Sequence, residues 1–194
     1  MPYNKNILGF MQLIDLRYIE LLASQVPKNG IIVEIGSCMG RSSYCWAASA
    51  DPSVTVYCID IFPEFQYIKH NISDDKCKEL GIPKQGIYNC FEAFKENTKD
   101  CLNIKMIQGN SPYDIKYDQS PIDLFFLDGS HTNPNDWDNI EYFIKYINQG
   151  GIIAGHDYSI EEFPDVVENV HKLEKIFNKR ARFYEYSSIW SIHL

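Results

Sequence analysis

The sequence contains no Cys-x-x-Cys pair. Its six cysteines, Cys38, Cys45, Cys58, Cys77, Cys90 and Cys101, are scattered along the chain, which removes the usual spacings of zinc and redox sites. A chain of 194 residues with 45% hydrophobic residues buries a core without a disulfide framework. Cys38, Cys45 and Cys58 stand among apolar neighbours, where a reduced thiol acts as a small hydrophobe. No stretch approaches the ~20 apolar residues of a membrane helix. The run Ile7–Met11, preceded by the single charge of Lys5, is too short for a signal peptide. The expected location is the cytoplasm, with no membrane partner. Positive charge is also scarce: 18 basic against 26 acidic residues leave a net charge of −8. That sign disfavours a phosphate backbone, so no nucleic-acid partner is expected. Repeats and low-complexity tracts are missing, and the length fits one domain over 1–194.

What is present is alternation. Ile7, Phe10, Met11, Ile14, Tyr18, Leu21 and Leu22 recur at helical spacing and predict an amphipathic helix over about 7–25, ended by Pro27 and Gly30. Ile31–Ile35 is a short, nearly continuous apolar run, the pattern of a parallel strand buried on both faces. A helix over about 41–50 follows, then strands at 54–59, 104–108, 122–127 and 152–154. Helices are expected over 88–101, from Trp137 to Ile147 and from Ile160 to Phe177, with two strands in the tail, Arg182–Tyr186 and Ile189–Leu194. The segment of about 61–87, with Pro63, Gly81 and Pro83, reads as an insertion or lid. Its Phe62, Phe65 and Tyr67 are candidates for an acceptor pocket, or for a small satellite core. Strands alternating with helices predict an α/β fold, a mostly parallel sheet covered on both sides. Ligands bind such sheets outside the carboxyl ends of the strands.

The residues at those ends are polar or glycine-rich. Glu34-Ile-Gly36-Ser37-Cys-Met-Gly40-Arg41-Ser42 links a strand to a helix. Gly36 lets a ligand approach the backbone, and the helix N-terminus offers unpaired N–H groups to a carboxylate. The Gly-x-x-x-Gly spacing departs from the Gly-x-Gly-x-x-Gly of a dinucleotide turn and argues against NAD. Asp60, at the end of the second strand, is placed to accept the hydroxyls of a ribose. Gly109, Asn110 and Ser111 follow the third strand and could meet the edge of an adenine, or form a simple turn. Asp128-Gly-Ser-His131 follows the fourth strand and His156-Asp157 the fifth. Adjacent strands bring these acids and imidazoles together, where they can hold a metal or move a proton.

At these residues the sequence resembles the class I S-adenosylmethionine-dependent methyltransferases, most nearly the small-molecule branch of macrocin-type sugar O-methyltransferases. The carriers are Val33–Ser37 with Gly40-Arg41-Ser42, Ile59-Asp60, Gln108–Ser111, Asp123–His131 and Gly150–Tyr158. The resemblance implies a three-layer Rossmann-like fold with a seven-stranded sheet whose last strand is antiparallel. It implies that Glu34, Gly36, Ser37 and Gly40 surround the methionine end of the cofactor, Asp60 its ribose and Asn110-Ser111 its adenine. Related sugar and catechol enzymes bind a divalent cation through positions that match Asp128, His156 and Asp157. His156 departs from them, because they carry a carboxylate there. Magnesium prefers an all-oxygen shell, so magnesium, manganese, another cation or none all stay open.

The expected activity is O-methylation of a small hydroxylated acceptor such as a sugar or glycan, with Asp128 or His131 taking the hydroxyl proton. Alternatives are a non-haem metal-dependent hydroxylase using His131, His156 and one Asp, and a non-catalytic S-adenosylmethionine-binding module. The N-terminal helix and the apolar C-terminal strands each offer a surface for a homodimer.

Overall fold

The structure, a computed structural model, describes residues 4, 6–67, 73–80, 84–117 and 121–194. Seven strands form one sheet. β1 (Ile31–Ile35) lies between β2 (Thr55–Asp60) and β6 (Ile122–Leu127), and β5 (Ile104–Gln108) pairs with β2. β7 (Ile147–Gly155) pairs with β6, and all these pairings are parallel. β9 (Trp190–His193) then joins β7 antiparallel and carries β8 (Arg182–Phe183) at the edge. The order β5-β2-β1-β6-β7-β9-β8 is that of the expected Rossmann-like methyltransferase sheet.

Neighbouring residues of each strand point to opposite faces, so the sheet divides the core in two. Ile32, Val56, Leu124 and Phe126 pack beneath α1 (Leu13–Ala23), α2 (Arg41–Ser49) and α4 (Cys90–Thr98), around the buried Trp46 and Phe94. Val33, Ile59, Phe125 and Ile153 face α5 (Asn135–Phe143) and α6 (Pro164–Phe177), around Phe143, Val170 and Leu173. No helix among the described residues is long and apolar enough to cross a membrane.

Several boundaries differ from the periodicity. The first helix begins at Leu13, not near residue 7, because the preceding segment has other partners. The Arg41 guanidinium donates to the Ile7 carbonyl, Gly9 lies against the Arg41 side chain, and the Asp15 carboxylate caps the N–H of Gln12 at 2.8 Å. The fourth helix starts at Cys90, where the Asn89 side chain accepts the Glu92 N–H. Residues 86–89 form β4 (Gly86–Asn89) instead, antiparallel to β3 (Glu64–Tyr67). The last helix starts at Pro164, a residue suited to the first helical turn. β7 begins at Ile147 and runs through Gly150-Gly151 to Gly155, longer than the strand expected at 152–154. The insertion holds the two-stranded β3–β4 sheet and, between its strands in sequence, the short α3 (Asp74–Leu80). The part of the expected lid at 68–72 and 81–83, and the Tyr67 side chain, fall outside the described residues.

Candidate active site

The carboxyl ends of β1, β2, β5, β6 and β7 open into one cavity of about 720 Å³. Of the residues singled out in the sequence, Gly36, Ser37, Arg41, Ser42, Asp60, Gly109, Asn110, Ser111, Asp128, His131, His156 and Asp157 line it. Glu34 and Gly40 do not; they stand behind the wall.

Glu34 is fully buried. Its carboxylate accepts the Ser37 hydroxyl at 2.7 Å, the Ser43 hydroxyl and the Trp46 indole N–H at 3.0 Å. Burial raises its pKa, against the hydroxyls of Ser43, Ser42 and Ser37, which favour the charged form. Glu34 therefore braces the turn from behind the cavity wall. Gly36, with φ of +91°, is the pivot: a Cβ there would fall 1.8 Å from the Asp128 carbonyl oxygen. The tips of β1 and β6 thus meet as backbone on backbone. Gly40, at φ +85°, caps α2, and its N–H donates to the Ser37 carbonyl at 2.8 Å. The next N–H groups at this helix N-terminus have no intrahelical acceptor.

Asp60 is held at both oxygens. Oδ2 accepts the Cys38 N–H at 2.7 Å and Oδ1 the Phe62 N–H at 2.6 Å. Burial raises its pKa despite these bonds. The turn after β5 is tied down: Gly109 N–H donates to the Asp60 carbonyl, and Asn110 N–H to Asp114. The Ser111 hydroxyl is committed to Asn139 Oδ1 at 2.6 Å, inside the α5 packing.

The opposite wall is built from charge. His131 Nε2 lies 3.3 Å from Asp157 Oδ2 and 4.0 Å from Asp128 Oδ1, and its ring rests on Phe163. Both His131 and Asp157 have φ near +58°, a left-handed conformation that non-glycine residues rarely adopt. His156 Nδ1 lies 3.2 Å from Asp157 Oδ1 and 3.6 Å from Asp128 Oδ1. Its Nε2 stands 3.2 Å from Asp15 Oδ2, an ion pair without the alignment of a hydrogen bond. Burial alone would lower the His156 pKa. The carboxylates of Asp128, Asp15 and Asp157 overcome it and push it up to about 12. Asp157 and Asp15, although burial opposes it, are in turn held below the usual carboxylate range by His156.

Ligand atoms of Asp128, His131 and Asp157 lie within 4.8 Å of one another, a set that could hold a metal ion. His156, expected as a ligand beside Asp128 and Asp157, presents Nδ1 to those same acids at 3.6 and 3.2 Å and lies outside this set. Asp15 was not singled out from sequence. It reaches the site from α1 and also accepts the Ser187 hydroxyl. The signal was an acid on the apolar stripe of the first helix, between Met11 and Ile19.

A family model described as a methyltransferase domain matches residues 33–158. The span covers every strand tip just described, and the chain belongs to this family as a class I S-adenosylmethionine-dependent methyltransferase. Solved structures share the fold. The calicheamicin methyltransferase CalS11 is 16% identical, with a TM-score of 0.65 over 93% of this chain and 77% of its own. An apo structure of CalS11, named as TDP-rhamnose 3′-O-methyltransferase, gives 15%, 0.63, 93% and 78%. Precorrin-6y C5,15-methyltransferase from Geobacter metallireducens is 12% identical, with a TM-score of 0.61 over 96% of this chain and 95% of its own. A sequence search of curated proteins gave no match.

Proposed function

We propose that the protein transfers the methyl group of S-adenosylmethionine to a hydroxyl of a small acceptor, such as a sugar or glycan end. The observation that carries this reading is the facing of two walls across one cavity. The Gly36 turn and Asp60 lie on one side, and Asp128, His131, His156 and Asp157 on the other. Methyl transfer from a sulfonium is an in-line displacement that leaves a neutral thioether, so positioning does most of the work. The acceptor hydroxyl must also lose its proton. Asp128, or His131 oriented by Asp157, takes it, while His156 fixes the two acids from behind.

The cavity's charges narrow the acceptor. Asp60, Asp128, Asp157 and Glu162 line it, and among the described residues its one lining arginine or lysine, Arg41, is turned onto the Ile7 carbonyl. This supports a neutral or cationic acceptor over a phosphorylated one. Phe62 packs into the core against Phe94, whereas Phe65 lines the cavity beside Phe10, with ring centroids 5.6 Å apart. That pair suits the face of a small ring. Where a divalent cation binds, Asp128, His131 and Asp157 would hold it, and it would lower the pKa of the hydroxyl. Their mixed nitrogen and oxygen donors suit a softer cation than magnesium. A hydroxylase would need two imidazole ligands, and the set of Asp128, His131 and Asp157 holds one.

Calorimetry with S-adenosylmethionine and S-adenosylhomocysteine, followed by methyl transfer to a panel of neutral hydroxylated acceptors, tests the proposal. Binding of both nucleosides and turnover on a neutral acceptor are expected. Failure of either nucleoside to bind at millimolar concentration would overturn it.

A further inference from the structure

The cavity wall between β1 and α4 carries two thiols that methyl transfer does not use. Cys38 lies in the turn after β1, with φ of +46°. Its Sγ stands 3.7 Å from the Sγ of Cys90, which lies 52 residues further along the chain. Both residues line the cavity. Cys90 is the first residue of α4, and a thiol at a helix N-terminus is a better thiolate than a free one. Their hydrogen bond works in the same direction: it pushes the Cys38 thiol up and holds the Cys90 thiol below its usual value. The sulfurs of a disulfide are ~2.05 Å apart. The pair must therefore close by about 1.7 Å.

We propose that Cys38 and Cys90 are a modification site: a dithiol that a peroxide converts to a reversible disulfide, shutting the cofactor turn. Cys90 is buried and Cys38 half-buried, so a peroxide reaches the pair from the Cys38 side. One sulfur of the pair, as its thiolate, attacks a peroxide oxygen, forms a sulfenic acid and releases water after protonation. The other thiol then attacks the sulfenic sulfur, forms the S–S bond and releases a second water. Two thiols and one hydrogen peroxide thus give one disulfide and two waters. Cys38 N–H is also the donor that holds Asp60 Oδ2 at 2.7 Å. Drawing Cys38 toward α4 pulls on the carboxylate expected to meet the ribose. The disulfide goes beyond the methyltransferase reading; its effect on the cofactor rests on that reading.

The test uses the full reduced chain exposed to hydrogen peroxide, with remaining thiols then alkylated and the digest read by mass spectrometry. The expected result is a linked peptide pair joining Cys38 and Cys90, lighter by two hydrogens and split by dithiothreitol. Excess S-adenosylhomocysteine should slow its formation. Calorimetry should show S-adenosylmethionine affinity at least about tenfold weaker after oxidation and restored by reduction. Cys38→Ser and Cys90→Ser should each remove the pair, and Cys101→Ser should leave it. Oxidation at Cys101 without any Cys38–Cys90 pair would overturn the site. A quantitative pair with unchanged cofactor affinity would overturn the switch. If the reduced protein binds neither nucleoside, the methyltransferase reading fails, whereas the peptide map still decides the dithiol.

Discussion

The two walls of the cavity hold their acids in opposite ways. On the β1–β2 side, Glu34 and Asp60 are satisfied by hydroxyls, an indole and backbone N–H groups. On the β6–β7 side, Asp128 and Asp157 face imidazoles, and their side chains remain about a fifth exposed. Neutral donors fix a shape; ionic partners keep charge available in a cleft. The first wall suits recognition of a constant donor, and the second suits moving a proton on a variable acceptor.

The junction between the walls is where substitution should do most damage. Gly36→Ala places a methyl group on the Asp128 backbone at a positive φ. It should cost about 4 kcal/mol or more, read as lost cooperativity or a large fall in the denaturant midpoint. Equal melting of this variant and the wild type would mean the walls are not locked together. Next in size, Asp128→Asn should lower the rate of methyl transfer by about 10²- to 10⁴-fold, with a much smaller change in nucleoside affinity. Asp60→Ala should show the reverse, a loss of about 10- to 100-fold in S-adenosylmethionine affinity, measured by calorimetry. If the two variants lose binding and rate alike, the division of labour is wrong.

The gentlest probe is pH. His156 is charged in the fold up to about 12 but titrates near 6.5 when unfolded. Its ion pairs stabilise the protein fully below pH ~6.5. That contribution is lost progressively as pH rises toward about 12. The melting advantage of the wild type over His156→Gln should therefore narrow with increasing pH. On the acid side, Asp157 and Asp15 are depressed. Their share is present above their unfolded values and lost as pH falls through the folded ones. An advantage that grows from neutral to alkaline pH would contradict the assignment of His156 as an imidazolium.

Strand positions were legible because a buried parallel strand leaves a continuous apolar run, as in Ile31–Ile35 and Ile122–Leu127. Nearly every candidate residue lay at the end of such a run, so the topology alone brought them to one cavity. What side chains do there was less legible. Glu34 and Ser111 turn inward because partners from distant helices, Trp46 and Asn139, claim them. The start of α1 depended on Arg41, which holds the Ile7 carbonyl 34 residues away, and helical periodicity records no such contact. Asp15 and the Cys38–Cys90 pair escaped for the same reason: their meaning arises only when separate elements pack together.

The enclosure of His156 also sets how the site responds to its medium. Ions in solution weaken attractions between exposed charges, and pairs such as Lys99 with Glu96 on the outer face of α4 are open to them. Three carboxylates and the body of the protein surround the imidazolium, so dissolved salt has little access to it. The hold of His156 on these acids should therefore change far less between dilute buffer and concentrated salt than the exposed pairs do.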